Sequence, residues 1–165
     1  SHWLPTRSGL DFAPAALRFV GGFSPRGATD LSAACGPIMS QESRGTILVV
    51  SDFLDPDGAE TTISRLCHLG FSVTLCRVQE LGEFDFSSSG EVVSDAEGNG
   101  LGRMPESKDE LRTLETRLKT HRMAIKRAAE AVGSRLVDCT SDIPLGRILD
   151  EVLNAMSQGG IRATR

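Results

Sequence analysis

The sequence predicts an α/β fold built on a mainly parallel, three-layer sheet, and three observations predict it. Ile47, Leu48, Val49 and Val50 form an unbroken apolar run inside TILVVS, 46–51. That run lacks the alternation of a half-exposed strand, so it reads as a strand buried on both faces of a helix-covered parallel sheet. A helical pattern, DGAETTISRLCHLG, then separates it from a second apolar run, FSVTLCRV at 71–78; strand, crossover helix and strand make a right-handed parallel unit. A long amphipathic pattern ending at Gly133 precedes a third run, RLVDCT at 135–140, and repeats the arrangement.

Each element has its own local cause. DFAPAALRFV, 11–20, fits a short helix capped by Asp11, with Pro14 in its first turn and Phe12, Ala16, Leu17 and Val20 along one side. GGFSPRGA, 21–28, is a turn-rich connector. A second helix starts near Thr29-Asp30, with Leu31, Ala34, Cys35 and Ile38 as its buried stripe. Gly36-Pro37 is expected to shorten or kink it, because proline lacks the N–H and drives its predecessor out of the helical region. In the crossover helix, Asp57 and Glu60 form a capping box, Ala59, Ile63, Leu66 and Cys67 face inward, and Gly70 closes the end, which leaves His68 exposed.

Residues 79–106 are irregular, with a hairpin of EVV and its return around DAEGNG. Ser107 and Glu110 make a second capping box, opening a helix that carries Leu111, Leu114, Leu118, Ile125, Ala129 and Val132 on one stripe. His121 falls on that stripe, so it is expected to be half-buried rather than catalytic. Asp142 is expected to cap a last helix whose Leu145, Ile148, Leu149, Val152 and Leu153 dock on the sheet. The organisation is one partial domain over 1–165. It comprises a connector with a short helix at 1–28, a helix-strand-helix-strand core at 29–78, the loop and hairpin at 79–106, long helix, strand and final helix at 107–157, and a tail at 158–165.

With 24% charged and 39% hydrophobic residues, the 165-residue chain has the composition of a soluble globule. No stretch approaches the ~20 apolar residues of a membrane span, so no membrane contact is expected. Four cysteines (Cys35, Cys67, Cys76 and Cys139) stand far apart in apolar surroundings, without metal-ligand spacing, and read as small buried hydrophobes of a reducing compartment, the cytoplasm. Residues 103–127 hold 8 bases against 4 acids, while 1–102 hold 13 acids against 6 bases. The bases are interleaved with Glu and Asp and no aromatic lies among them, which describes a solvated helix face rather than a nucleic-acid surface. No Ser-His-Asp or Cys-His set is legible among His2, His68 and His121, so the chain is not expected to be an enzyme.

Ser51 and Asp52 mark the carboxyl end of the first strand, the edge at which open α/β sheets build their sites; the alternative is that Ser51, Asp52 and Asp55 simply begin a loop. DAEGNGLGRMPE, 95–106, matches calcium-loop positions at Asp95, Glu97, Asn99, Gly100 and Glu106, but without an entering helix it reads as a Gly-rich hairpin tip. ILVVSD also resembles the opening of a two-component receiver domain. That resemblance implies a magnesium-dependent phosphotransfer domain using Asp52 and, as phosphoacceptor, Asp95, although Ser51 replaces one of its paired acids and no Lys ends the third strand.

RGATDLSAA, followed by an apolar strand ending in SD, resembles the second half of a von Willebrand factor A domain. WLPTRSG, GATDL, VVSDFLDPDG, ELGEFDF, VVSDAEG, the arginine-rich helix and TSDIPLGRIL resemble, in order, the bacterial domain-of-unknown-function 58 family. The resemblance implies a Rossmann-like sheet lacking its amino-terminal strands. It also implies a metal site in which Thr29 and Asp52 are ligands and Ser51 stands behind them. The family's DxSxS element is missing from its place, and the chain's one DxSxS, Asp85-Phe86-Ser87-Ser88-Ser89, follows no buried strand. The site is therefore degenerate and incomplete: no cofactor is required, and magnesium binds weakly at most. The implied function is a non-enzymatic protein-interaction module working with a MoxR-type AAA+ ATPase in assembly or maturation of other proteins, and the chain is expected to be a fragment of a larger protein. Lacking a neighbour, the 46–51 strand is expected to be an edge through which the chain forms a homodimer or aggregates.

Overall fold

In the computed structural model, the structure describes residues 12–24, 29–41, 44–54, 59–79, 93–94, 101–102 and 107–158. Their element order is α1 (Phe12–Gly21), α2 (Leu31–Met39), β1 (Thr46–Ser51), α3 (Ala59–His68), β2 (Ser72–Gln79), β3 (Val93–Ser94), β4 (Leu101–Gly102), α4 (Lys108–Ala131), β5 (Arg135–Thr140) and α5 (Leu145–Gln158). The class is mixed α/β. Three strands, in the order β1-β2-β5, form an open sheet that is parallel throughout, and β3-β4 is a separate antiparallel hairpin. The registers Val49↔Leu75 and Cys76↔Val137 align the apolar centres of the three strands.

α2, α3 and α4 contribute to the core on one face of the sheet and α5 to that on the other. Alternation along β1 and β2 sends Val49, Val73 and Leu75 to one face, where they form the main core with Cys35 of α2, Ala59, Ile63 and Leu66 of α3, and Ile125 and Ala129 of α4. On the opposite face Cys76, Val137 and Cys139 pack with Val152 of α5, flanked by Ile148, Ala155 and Met156. Among the described residues no helix is long and apolar enough to cross a membrane.

Helix ends follow the local chemistry. Asp30 accepts from Ala33 N at 2.8 Å and Ser107 accepts from Glu110 N at 3.1 Å, each supplying an acceptor to an otherwise orphaned donor. α3 ends where Gly70 takes φ +90°, with Phe71 N returning to Leu66 O, and α4 ends where Gly133 takes φ +74°, with Ser134 N returning to Ala129 O. α2 is a short helix, as Gly36-Pro37 predicts, and it ends two residues after Pro37. Pro37 lies in the final turn, where little helix remains to be disrupted, and Ser40 Oγ donates to Gly36 O across that turn. Ala34, expected on the buried stripe, is exposed. Asp57, the expected cap of α3, lies outside the described residues.

Three expectations are corrected. β1 is buried on one face only: Val49 is covered while Leu48 is 40% and Val50 59% exposed. Its apolar run is that of a doubly covered strand, but α5 packs over β2 and β5 and leaves the β1 flank bare. Asp142 does not cap the last helix, which begins at Leu145, with Pro144 O accepting from Arg147 N and Ile148 N. Proline disfavours helical backbone at the residue before it, so the helix cannot start until Pro144 has passed. Of the five α5 residues expected to dock, only Ile148 and Val152 do; Leu145, Leu149 and Leu153 are 69%, 51% and 61% exposed.

Candidate functional site

β1 delivers Ser51 and Asp52 to the carboxyl end of the sheet, and the chain turns sharply there. Phe53 N donates to Ser51 Oγ at 3.0 Å, Leu54 N donates to Asp52 Oδ1 at 3.1 Å, and Ser51 Oγ lies 3.4 Å from the same carboxylate oxygen. These bonds hold Phe53 at φ +58°, a left-handed conformation in which a bulky side chain is strained. Two things hold it there: the ring is buried in the main core, and Phe53 O is bonded by Nε2 of His121 on α4. His121 is thus a half-buried structural group, as its position on the helix stripe predicted, and it ties α4 to the loop after β1. His68 is exposed, with its Nδ1 2.7 Å from Ser64 O.

The register places a polar row beside this turn. Ser51, Arg77 and Asp138 are successive partners across the three strands, all on the face of the main core. Arg77 Nε donates to Asp138 Oδ1 at 2.6 Å, and Arg77 Nη2 lies 2.6 Å from the same oxygen. The arginine side chain is 10% exposed and Asp138 55%, so one partner reaches solvent while the other is fixed beneath it. Arg77 Nη1 is buried without a partner among the described residues. This pair escapes sequence reading because its members stand 61 residues apart and meet only through strand register.

Thr29 is exposed and directly precedes the α2 cap Asp30. Thr29, Ser51 and Asp52 are hard oxygen donors of the type magnesium accepts. Their fit is poor, because Ser51 Oγ and Asp52 Oδ1 are already engaged in shaping the turn. The carboxylate has its other oxygen for a ligand; the hydroxyl has little left to give. Asp95, the 85–89 DxSxS and the bulk of the 95–106 loop lie outside the described residues.

Strand pairing also joins two cysteines that the sequence keeps 63 residues apart. Cys76 Sγ and Cys139 Sγ are 3.1 Å apart in the core beneath α5. Burial, and then the neighbouring Cys76 sulfur, push the Cys139 thiol up to about 12. Such a thiol stays protonated at neutral pH and is a poor nucleophile. Burial likewise raises Cys35. No family model, curated protein or solved structure matches this chain.

Proposed function

We propose that the chain is a non-enzymatic protein-interaction module of von Willebrand A-like type, presenting the loop after β1 to a MoxR-type AAA+ ATPase that assembles or matures other proteins. One observation carries the reading: an exposed carboxylate, Asp52, stands at the carboxyl end of a parallel strand on a turn fixed by Ser51, Phe53 and His121. A rigid turn displaying one free charge suits recognition, because little order is lost on binding. The strand order supports it as well. β1-β2-β5 is sequential, as in one half of the doubly wound order 3-2-1-4-5-6. The receiver alternative requires the order 2-1-3-4-5, in which the second strand is an edge paired only with the first; here β2 is central, between β1 and β5.

Magnesium plays a minor part on this reading. Calorimetry is expected to give no saturable heat at micromolar magnesium, and micromolar affinity that survives Asp52→Ala would contradict the ligand assignment. The binding role is tested by light scattering on the chain mixed with a MoxR-type ATPase, with and without nucleotide. A complex is expected, weakened about tenfold or more by Asp52→Asn, which removes the charge but keeps an acceptor for Leu54 N. Unchanged masses in both nucleotide states would sink the proposal.

A further inference from the structure

We infer that two copies of this chain join through their β1 edges, antiparallel about a two-fold axis at Val49, fusing two three-stranded sheets into one. The inference uses the outer edge of β1 and none of Thr29, Ser51 or Asp52 as a ligand, and it excludes a further strand at that edge, such as the six-stranded doubly wound order would add.

Among the described residues β1 pairs only with β2, so its other edge presents unpaired backbone donors and acceptors. Proteins normally protect such an edge with Lys, Pro or a bulge. From Thr46 to Ser51 there is neither charge nor proline, and the six residues pair with β2 without interruption. Centred on Val49, antiparallel pairing sets Leu48 opposite Val50 of the second copy, twice, on the face where both are exposed. Ile47 meets Ser51 on the other face. The two Asp52 residues, each just beyond the last strand position, fall at opposite ends of the ribbon, so these like charges stay apart.

α5 bears on the same place. The right-handed crossovers through α3 and α4 put those helices on one face and α5 on the other, antiparallel to the strands. In a right-handed helix at 100° per residue, Leu145, Leu149 and Leu153 stand about a quarter turn round from Ile148, Val152 and Ala155, on the side toward β1. Edge pairing about an axis normal to the sheet brings the leucine flanks of both copies to face each other over Leu48, Val50 and their mates. An isologous contact of this kind closes at two copies.

The test is light scattering on the full chain across a concentration series, with two variants at exposed positions that leave the core intact. A dimer is expected, and Leu48→Lys or Val50→Glu alone is expected to weaken it about tenfold or more. The double variant L48K/V50E sets an introduced amine opposite an introduced carboxylate at both ends and is expected to restore most of the affinity. Circular dichroism on each variant confirms that the fold is kept. A monomer at every concentration, which would leave the edge to another segment of the chain or to a different protein, overturns the inference. So does a dimer that survives both single variants, or a double variant weaker than either.

Discussion

The face of the sheet beneath α3 and α4 and the face beneath α5 share the same three strands, yet one is closed and the other is open over β1. On the closed face Ile63, Leu66, Leu75 and Ile125 are fully buried, and Val49 of β1 joins the same core with side chains of α2, α3 and α4. On the open face four buried residues form a small core, while Leu48, Val50 and three leucines of α5 stay in contact with water. The difference teaches that apolar sequence does not by itself measure burial. β1 is apolar because both its faces suit covering, and the described residues cover one of them.

The largest expected effect breaks the closed face. Leu66→Ala or Ile63→Ala leaves a cavity in a fully packed site and is expected to cost about 2–5 kcal/mol in urea unfolding. Leu149→Ala, the same kind of truncation on the open face, is expected to change stability by less than about 0.5 kcal/mol when both are measured in the monomeric Leu48→Lys background. Equal losses at the two sites would mean that the leucine flank of α5 is covered after all. Val152→Ala, which anchors α5 itself, falls between them at about 1.5 kcal/mol, the worth of two buried methylene-sized groups.

A smaller effect sharpens the contrast. Thr74 is wholly buried, and its hydroxyl has no partner among the described residues. Thr74→Val keeps the shape and removes the unsatisfied group, so a gain of about 1 kcal/mol is expected; a loss would reveal a hidden partner on the open face. Alkaline titration probes the neighbouring thiols. Because the Cys139 pKa is raised to about 12 in the folded chain, its contribution is fully present below the ordinary thiol range and is lost as pH climbs from there toward 12. The unfolding midpoint is expected to fall from about pH 9 upward, and to fall less steeply in Cys139→Ala.

Much of the architecture is legible in the residues. Asp30 and Ser107 announce helix starts, Gly70 and Gly133 announce helix ends, and the three apolar runs give the strands, because each signal acts within a few residues of itself. Position 52 is legible for the same reason: a carboxylate after an apolar run marks a strand end. What depends on register or on neighbouring layers is not. The Arg77–Asp138 pair and the Cys76–Cys139 contact exist only once β2 and β5 are aligned. The apolar arc of α5 is wider than two strands can cover, and sequence shows the width of such an arc without showing what lies beneath each part of it.

The contrast between the faces rests on β1 being an edge, and amide hydrogen exchange along that strand tests it most directly. In Leu48→Lys, at a concentration where light scattering reads a monomer, the amides of β2 are expected to exchange slowly throughout Ser72–Gln79. Along Thr46–Ser51 protection is expected to alternate, slow where an N–H bonds β2 and fast where it points outward. Uniformly slow exchange along β1 in that monomer would contradict the account, because it would place a second strand where an open edge is described.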